Sequence, residues 1–108
     1  MKLLLVIVQD ADASRLQQAL VEANFRATKL ATTGGFLREG NTTFLIGVND
    51  AEVETVTSIV RTTCHERTQP QAIHPLANSP EPYFSQVIDV SVGGAVIFVV
   101  NVESFQRV

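Results

Sequence analysis

Cysteine, aromatic side chains and basic charge are all scarce in this sequence, and each shortage excludes a class of protein. The 108 residues include a single cysteine, Cys64. A disulfide framework within the chain is therefore impossible, and a reducing, cytoplasmic setting is expected. The formal net charge is −3 and the pI is about 5.2, whereas general nucleic-acid binders carry a basic surplus. We therefore expect no nucleic-acid partner.

Long hydrophobic runs are also absent. The apolar run over residues 3–8 ends at Gln9 and Asp10, and no small-residue cleavage site follows it. Such a run is too short to cross a membrane and lacks the features of a signal peptide. We interpret it as a buried strand and expect no membrane association. The glycine motifs of phosphate loops, dinucleotide sites and nucleophile elbows are missing too, which counts against the common enzyme classes.

The composition that remains is that of one packed domain. Hydrophobic residues make up 45 % of the chain and charged residues 18 %, proportions typical of globular proteins. The length predicts a single domain over residues 1–108. A core of this size is modest, so association between copies would bury useful additional surface.

Apolar periodicity predicts three strands and two helices before residue 65. The strands cover residues 3–8, 25–33 and 42–48, and the helices cover residues 12–23 and about 51–64. Short polar side chains precede both helices and are candidate N-caps: Asp10, Asp12, Asn49 and Asp50.

The second half is less regular. All four prolines lie within residues 65–85, which predicts a long irregular connection. Residues 86–92 alternate as an extra strand should, and Gly93-Gly94 permits a tight turn into a last strand, which predicts a final hairpin. The βαββαβ order predicts an α+β, ferredoxin-like sandwich with two helices on one sheet face. Because the strands are apolar on both sides, the other face must also be covered, as packing in a trimer would do.

Cys64 and His65 form the one Cys/His neighbour pair. Adjacent helical side chains point about 100° apart, which is poor geometry for shared metal ligation, and zinc sites need several spaced ligands. We therefore expect Cys64 to pack as a small hydrophobic residue and predict no metal site. His74, between Ile73 and Pro75, is expected to be solvated.

The segment TKLATTGGFLREGNTTFLIGV, residues 28–48, places apolar residues at a glycine-rich corner. Gly34 and Gly35 permit positive φ and expose backbone N–H groups that suit an anion. Phe36 and Leu37 could enclose a flat ring, and the amide of Asn41 matches the edge of an adenine. Each of these features also has an ordinary structural interpretation. Gly34 and Gly35 suit a turn, and Asn41 suits an Asx turn. Phe36 could be a loop anchor or an oligomer contact.

The flanking strands carry groups that suit a phosphate. Arg26 and Thr28 lie two positions apart and so share one strand face, where a guanidinium and a hydroxyl can hold phosphate oxygens. Gly47 would let a ligand approach the backbone closely. Arg26 could equally pair with a surface carboxylate, and Thr28 is an ordinary strand residue. If these residues bind a ligand, their chemistry matches a nucleotide that carries a phosphate and a base.

Three stretches of the chain resemble the PII-like cyclic di-AMP receptor proteins: VIVQDAD, NFRATKLATTGGFLREGNTTFLIGV and VGGAVIFVVNVESF. The resemblance runs from residue 1 to residue 108 and is strongest over residues 24–48. It implies a ferredoxin-like, PII-like fold with an extra strand, and a bacterial, cytoplasmic homotrimer that binds cyclic di-AMP between subunits. It also implies no cofactor, no catalysis, and signalling by loops that rearrange and meet a downstream protein.

The resemblance further implies a set of ligand-binding residues. Phosphate and nearby atoms would be bound by Arg26 and Thr28, and an adenine by Gly35, Phe36, Leu37 and Asn41. Close contacts would come from Asn24, Ala27 and Gly47. Phe98 would lie near the second adenine, and Arg107, in the tail, would approach the ligand.

The chain departs from the family pattern over residues 66–90, where a glycine pair and a Tyr-Pro step are missing. This departure concerns how the long loop packs, which partner it meets and how tightly the second half of the ligand is held.

Three other functions are alternatives to the receptor hypothesis. A PII-like protein for another adenine nucleotide such as ATP would need more cations than Arg26, Lys29 and Arg38. A small enzyme would need an acid, base or nucleophile in a cleft. An RNA-recognition module would need surface aromatics and a basic face.

Overall fold

Two antiparallel sheets and two helices make up the part of the chain that the structure describes. This computed structural model describes residues 1–30, 40–73 and 86–108. The elements in chain order are β1 (Lys2–Gln9), α1 (Asp10–Glu22), β2 (Ala27–Leu30), β3 (Asn41–Val48), a 3-10 turn (Asp50–Glu52), α2 (Val53–Cys64), β4 (Arg67–Ile73), β5 (Gln86–Val92) and β6 (Ala95–Asn101).

The larger sheet has the strand order β2-β3-β1-β6, and all of its neighbours are antiparallel. β1 lies in the middle, with Leu5 opposite Leu45 of β3 on one side and Phe98 of β6 on the other. This order, with both helices against one face, confirms the predicted α+β, ferredoxin-like fold. β2 and β6 form the two edges of the sheet, at opposite sides of the molecule.

The core lies between this sheet and the helices. Alternate β1 residues (Leu4, Val6 and Val8) are buried, as the helix-facing side of a half-covered strand requires. They pack with the other apolar residues of the core: Ala13, Leu16, Leu20, Phe44, Ile46, Val48, Val56, Val60 and Cys64.

The opposite sheet face is apolar but much less covered. On β6, Val96, Phe98 and Val100 lie on the face opposite to Ile97, which is partly buried and packs against the core, and each of the three is about half exposed. We call the face that carries these residues the open face. It satisfies the expectation that the strands are apolar on both sides.

The prediction that Asp10 and Asp12 cap α1 is wrong. The residue at the N-cap position is Gln9. Asp10 instead accepts a hydrogen bond from the Thr42 hydroxyl at 2.5 Å, and Asp12 is buried in an ion pair. Both carboxylates have partners from other elements, so neither is available for the backbone N–H groups of the first turn.

The predicted cap at Asn49 is confirmed, whereas the other candidate, Asp50, is the first residue of the 3-10 turn and pairs with the Met1 amino terminus at 3.1 Å. Asn49 is the N-cap residue of the 3-10 turn that leads into α2. Its backbone N–H donates to the Glu52 carboxylate at 3.0 Å, a reciprocal arrangement that fixes the start of the helical segment.

The prediction of an irregular connection is wrong for Arg67–Ile73, which forms β4. β4 pairs with β5 in a separate two-stranded sheet, with Arg67 opposite Val92 and Pro70 opposite Asp89. Proline is tolerated because each strand of a two-stranded ribbon has one unpaired edge, where no N–H is needed. His74 and the other three prolines lie outside the described residues, as do residues 31–33 of the predicted second strand.

The predicted hairpin of β5 with the last strand is also wrong. β6 pairs with β1, and β5 pairs with β4. Gly93 and Gly94 both have positive φ, 83° and 84°, which glycine adopts at low cost. They redirect the chain from the ribbon into the main sheet. We call the β4–β5 ribbon the arm.

Candidate functional site

The start of β2 carries the first group of predicted site residues. Arg26 is exposed just before the strand, and Thr28 is exposed on it. Ala27 lies opposite Ile46 of β3, so Gly47 continues the same register beside Arg26. An added Cβ at Gly47 would meet no atom within 4 Å. A guanidinium, a hydroxyl and open backbone therefore lie together at one edge of the sheet.

Asn24 has a structural task beside this group. Its φ of 64° is left-handed, a conformation that asparagine tolerates better than most residues. Its N–H donates to the Val21 carbonyl at 3.0 Å, and the Phe25 N–H donates to the Leu20 carbonyl at 2.8 Å. These two bonds form a Schellman ending of α1 and place Phe25 against the core.

Asn41 lies in the second location, a cavity of about 650 Å³ at the far end of β1 and β3. It is opposite Gln9 in the sheet register. The described lining residues are Ile7, Val8, Gln9, Asp10, Ala11, Gly40, Asn41, Gly93, Gly94, Ala95 and Val96. The volume falls in the range of small-molecule pockets.

The charge of this cavity suits a base better than a phosphate. Asp10 is the one charged side chain among the described lining residues. It is fixed by the Thr42 hydroxyl, and its backbone N–H donates to the Gly40 carbonyl at 2.9 Å. Amide and backbone groups around apolar walls can recognise the polar edge of a neutral ring. The cations Arg26 and Lys29 lie on the β2 side instead.

Phe98 lies in the third location, on the opposite edge strand. Phe98, Leu5, Leu45 and Thr28 follow one another across the sheet on the open face. Three strand spacings of about 4.8 Å separate Thr28 from Phe98 by roughly 14 Å. Phe98 is 54 % exposed. Within one subunit, Thr28 and Phe98 therefore lie on the same face of the sheet but are too far apart to contact the same base.

The remaining predicted residues are further apart or outside the described part. Asn41 and Gly47 are six positions apart on β3, which is roughly 20 Å along a strand. Arg107 is exposed beyond the end of β6. Gly35, Phe36 and Leu37 lie outside the described residues. The structure thus brings Asn24, Arg26, Ala27, Thr28 and Gly47 together at one end of β2 and β3, and places Asn41 and Phe98 elsewhere in the sheet.

A buried ion cluster beside the cavity was not identified from the sequence. The Asp12 carboxylate, 0 % exposed, accepts hydrogen bonds from Arg67 at 2.8 and 3.3 Å and from Arg15 at 2.5 Å. The hydrogen bond from Arg67, followed by that from Arg15, lowers the pKa of Asp12 despite its burial. The sequence gives no signal for this cluster, because Asp12 and Arg67 are 55 positions apart.

Cys64 packs in the core, as predicted. Burial, with the nearby Asp12 charge as a smaller cause, raises the pKa of its thiol to about 11. His65 is exposed, with its Nδ1 3.3 Å from the Thr62 carbonyl oxygen. A protonated, buried thiol is a poor nucleophile, so this pair gives no support to the enzyme hypothesis.

Metal-binding clusters and membrane-spanning helices are both absent from the described residues. Among residues 1–30, 40–73 and 86–108, His, Cys, Asp and Glu form no group of three that could hold a metal ion. Neither helix in that part of the chain is long and apolar enough to cross a membrane.

Comparison with known proteins assigns this chain to a family of receptors for a cyclic dinucleotide. The model of the family described as "Cyclic-di-AMP receptor" matches residues 1–108, the whole chain. The chain therefore belongs to the cyclic-di-AMP receptor family, which confirms the resemblance seen in the sequence.

A solved structure is similar over nearly the same extent. It is a crystal structure of a functionally unknown protein from Pediococcus pentosaceus ATCC 25745. The two chains are 41 % identical, and the match covers 99 % of this chain and 96 % of that chain with a TM-score of 0.76. The match supports the same fold for the two chains.

Proposed function

We propose that this protein is a non-enzymatic receptor that binds cyclic di-AMP at the interfaces of a homotrimer and signals by rearranging loops that meet a downstream protein. Family membership over the whole chain supports the ligand. The observation that carries the interface is the division of the candidate residues between β2 and β6, the two edges of one sheet.

A head-to-tail ring makes use of that division. In a ring, the β6 edge of one subunit meets the β2 edge of the next, so each interface contains one copy of each edge. Arg26 and Thr28 then bind phosphate while Phe98 of the neighbour stacks on an adenine. Asn41 recognises the other adenine at the cavity. The half-exposed apolar open face is buried as the ring closes.

Titration calorimetry tests the ligand. Cyclic di-AMP should bind near one molecule per subunit, whereas cyclic di-GMP and ATP should bind much more weakly. Stacking on an aromatic contributes roughly 1–3 kcal/mol per base, so Phe98→Ala should raise the Kd by roughly five- to 150-fold. Arg26→Ala should weaken binding as well. Lys29→Ala, which removes a neighbouring exposed cation, is the matched control and should change little.

Mixed trimers test the shared site. Each proposed site takes Arg26 from one subunit and Phe98 from the neighbouring subunit. When Arg26→Ala and Phe98→Ala subunits are mixed equally and at random, about a quarter of the sites should contain both native residues. Recovery of tight binding in the mixture supports a site made by two subunits. If the mixture binds no better than its components, the site lies within one subunit. Preference for ATP together with weaker binding by Lys29→Ala would instead favour another adenine nucleotide as the ligand.

A further inference from the structure

The arm is joined to the rest of the subunit only at its base within the described residues. β4 and β5 pair along their whole length with each other and make no extensive contact with another described element. A two-stranded ribbon is marginally stable by itself. Whatever fixes the base of the arm therefore controls where the arm points.

An arginine at the first position of β4 provides that fixation. The Arg67 guanidinium donates to both oxygens of the buried Asp12, at 2.8 and 3.3 Å, and to the His65 carbonyl at 3.2 Å. The Arg67 side chain is 23 % exposed, whereas that of Arg15, the other partner of Asp12, is 60 % exposed. A two-pronged guanidinium–carboxylate pair fixes direction as well as distance.

Gly93 lies directly against this pair. An added Cβ would lie 2.5 Å from Nη1 of Arg67 and 2.6 Å from the His65 carbonyl oxygen. The Gly93 N–H donates to the Gln9 side-chain oxygen at 2.8 Å, and the Gly94 N–H donates to the Cys64 carbonyl at 2.5 Å. The base of the arm is thus packed and hydrogen-bonded against β1 and the last residue of α2.

The same segment forms a wall of the cavity. Gln9, Gly93 and Gly94 all line it, as does Asn41. The base of the arm and this wall are consequently one stretch of backbone. A molecule that moves or immobilises the wall must act on the arm at its only described attachment.

We propose that the Asp12–Arg67 pair is a clamp that positions the Gly93–Gly94 wall for ligand binding and makes the arm respond to ligand in the cavity. Arg67 and Asp12 are positioning residues, since neither lines that cavity. This inference rests on the proposed function, because it takes cyclic di-AMP as the ligand. It adds a physical connection through which ligand in the cavity changes the position of the arm.

The test compares Arg67→Met with Arg15→Met, which each remove one guanidinium from Asp12. The measurements are the Kd for cyclic di-AMP by calorimetry and hydrogen exchange of the amides of β4 and β5 with and without ligand. If the released wall is in its binding arrangement for a fifth to a tenth of the time, Arg67→Met raises the Kd roughly five- to tenfold. It should also speed exchange in the arm and abolish the protection that ligand confers there.

Arg15→Met should keep both the affinity and the ligand-induced protection of the arm. Equal Kd values and equal arm protection in the two variants would overturn the clamp. A general loss of stability lowers the melting temperature of Arg67→Met but does not by itself remove the response of the arm to ligand. Arg67→Lys, which keeps the charge, should recover part of that response.

A second pair of variants covers the case in which Arg67→Met does not fold. Gly93→Ala and Gly94→Ala both place alanine at positive φ, but only the Cβ at Gly93 reaches the clamp; at Gly94 the nearest contact is 3.8 Å, with Glu66. The proposal requires Gly93→Ala to lose more ligand-induced arm protection than Gly94→Ala, and equal losses contradict it. If the wild type fails to bind cyclic di-AMP, the proposed function itself is wrong and the coupling falls with it.

Discussion

Asn24 has a structural role at the end of α1 and a proposed role in ligand binding. Its left-handed backbone ends α1, and the resemblance assigns the same residue a contact with the ligand. The two roles make different demands, because the backbone needs a residue that tolerates positive φ and the ligand needs an amide. Substitution can therefore separate them.

We expect Asn24→Ala to lower the free energy of unfolding by roughly 1 kcal/mol, since alanine is strained at positive φ. Asn24→Gly should leave stability nearly unchanged, because glycine adopts this conformation readily. Both variants lack the amide, so both should weaken cyclic di-AMP binding to a similar degree. Urea denaturation and calorimetry measure the two effects. If Asn24→Gly is as unstable as Asn24→Ala, the assigned role at the helix end is wrong.

The contact between α1 and β4 depends on the charge of a single buried carboxylate. Asp12 has a pKa below its ordinary value of 3.8, mainly through the hydrogen bond from Arg67. A lowered folded-state pKa means that the unfolded chain binds the proton more readily. The stabilisation is present in full above 3.8 and is lost as the pH falls through that value toward the lower folded-state pKa.

The unfolding free energy of the wild type should therefore fall more steeply between pH 5 and pH 3 than that of Asp12→Asn. One differentially bound proton gives a slope of at most about 1.4 kcal/mol per pH unit. Denaturant titrations at several pH values measure it. Asp50 also has a lowered pKa, because the Met1 amino group lies 3.1 Å from its carboxylate. This effect is the same in the wild type and in Asp12→Asn, so it does not contribute to the difference between them.

Glu103→Gln, which removes an exposed carboxylate after β6, is the control and should follow the wild-type curve. Parallel curves for the wild type and Asp12→Asn would show that Asp12 contributes no pH-dependent stability. At neutral pH, Asp12→Asn should be clearly destabilised. Removing one partner of a buried pair costs about 3–5 kcal/mol, and the partial exposure of Arg67 places the cost at or below the lower figure.

Local patterns were sufficient for most helices and strands. The continuous apolar run over residues 3–8 and the alternation over residues 86–92 each correspond to an observed strand. Both signals are carried by adjacent residues and need no knowledge of distant parts of the chain. β4 was missed because RTQPQAI shows little alternation and contains a proline. Its strand state depends on pairing with β5, which is a contact between distant parts of the chain.

The site could be predicted only in part for the same reason. Residue chemistry and family resemblance nominate Arg26, Thr28, Asn41 and Phe98. Their distribution over two sheet edges and a separate cavity follows from the strand order, which no single segment reveals. The Asp12–Arg67 clamp likewise exists only once α1 and β4 are folded against each other.

The assembly should follow from the open face of the main sheet. Val100, 45 % exposed, lies opposite Leu3 on that face. A lysine there would place a charge in the proposed subunit interface, where burying it is costly. We expect the wild type to be a trimer by sedimentation velocity and Val100→Lys to be mostly monomeric.

Val21→Lys is the matched control, because Val21 is an exposed valine, 64 % accessible, on α1. This variant should remain trimeric. A monomeric wild type at high protein concentration, or a Val100→Lys protein that still sediments as a trimer, would contradict the proposed packing. Circular dichroism establishes that each variant is folded.

The central position of β1 also governs how the molecule is made. β1 pairs with β6 from Lys2 opposite Asn101 to Val8 opposite Ala95, and the Lys2 ammonium donates to the Asn101 side chain. A ribosome must therefore synthesise residue 101 before the second neighbour of β1 exists. Contacts of such large sequence separation slow folding, because a long loop must close first. The main sheet is consequently completed late in synthesis, and until then β1 has an unpaired apolar edge exposed to other chains.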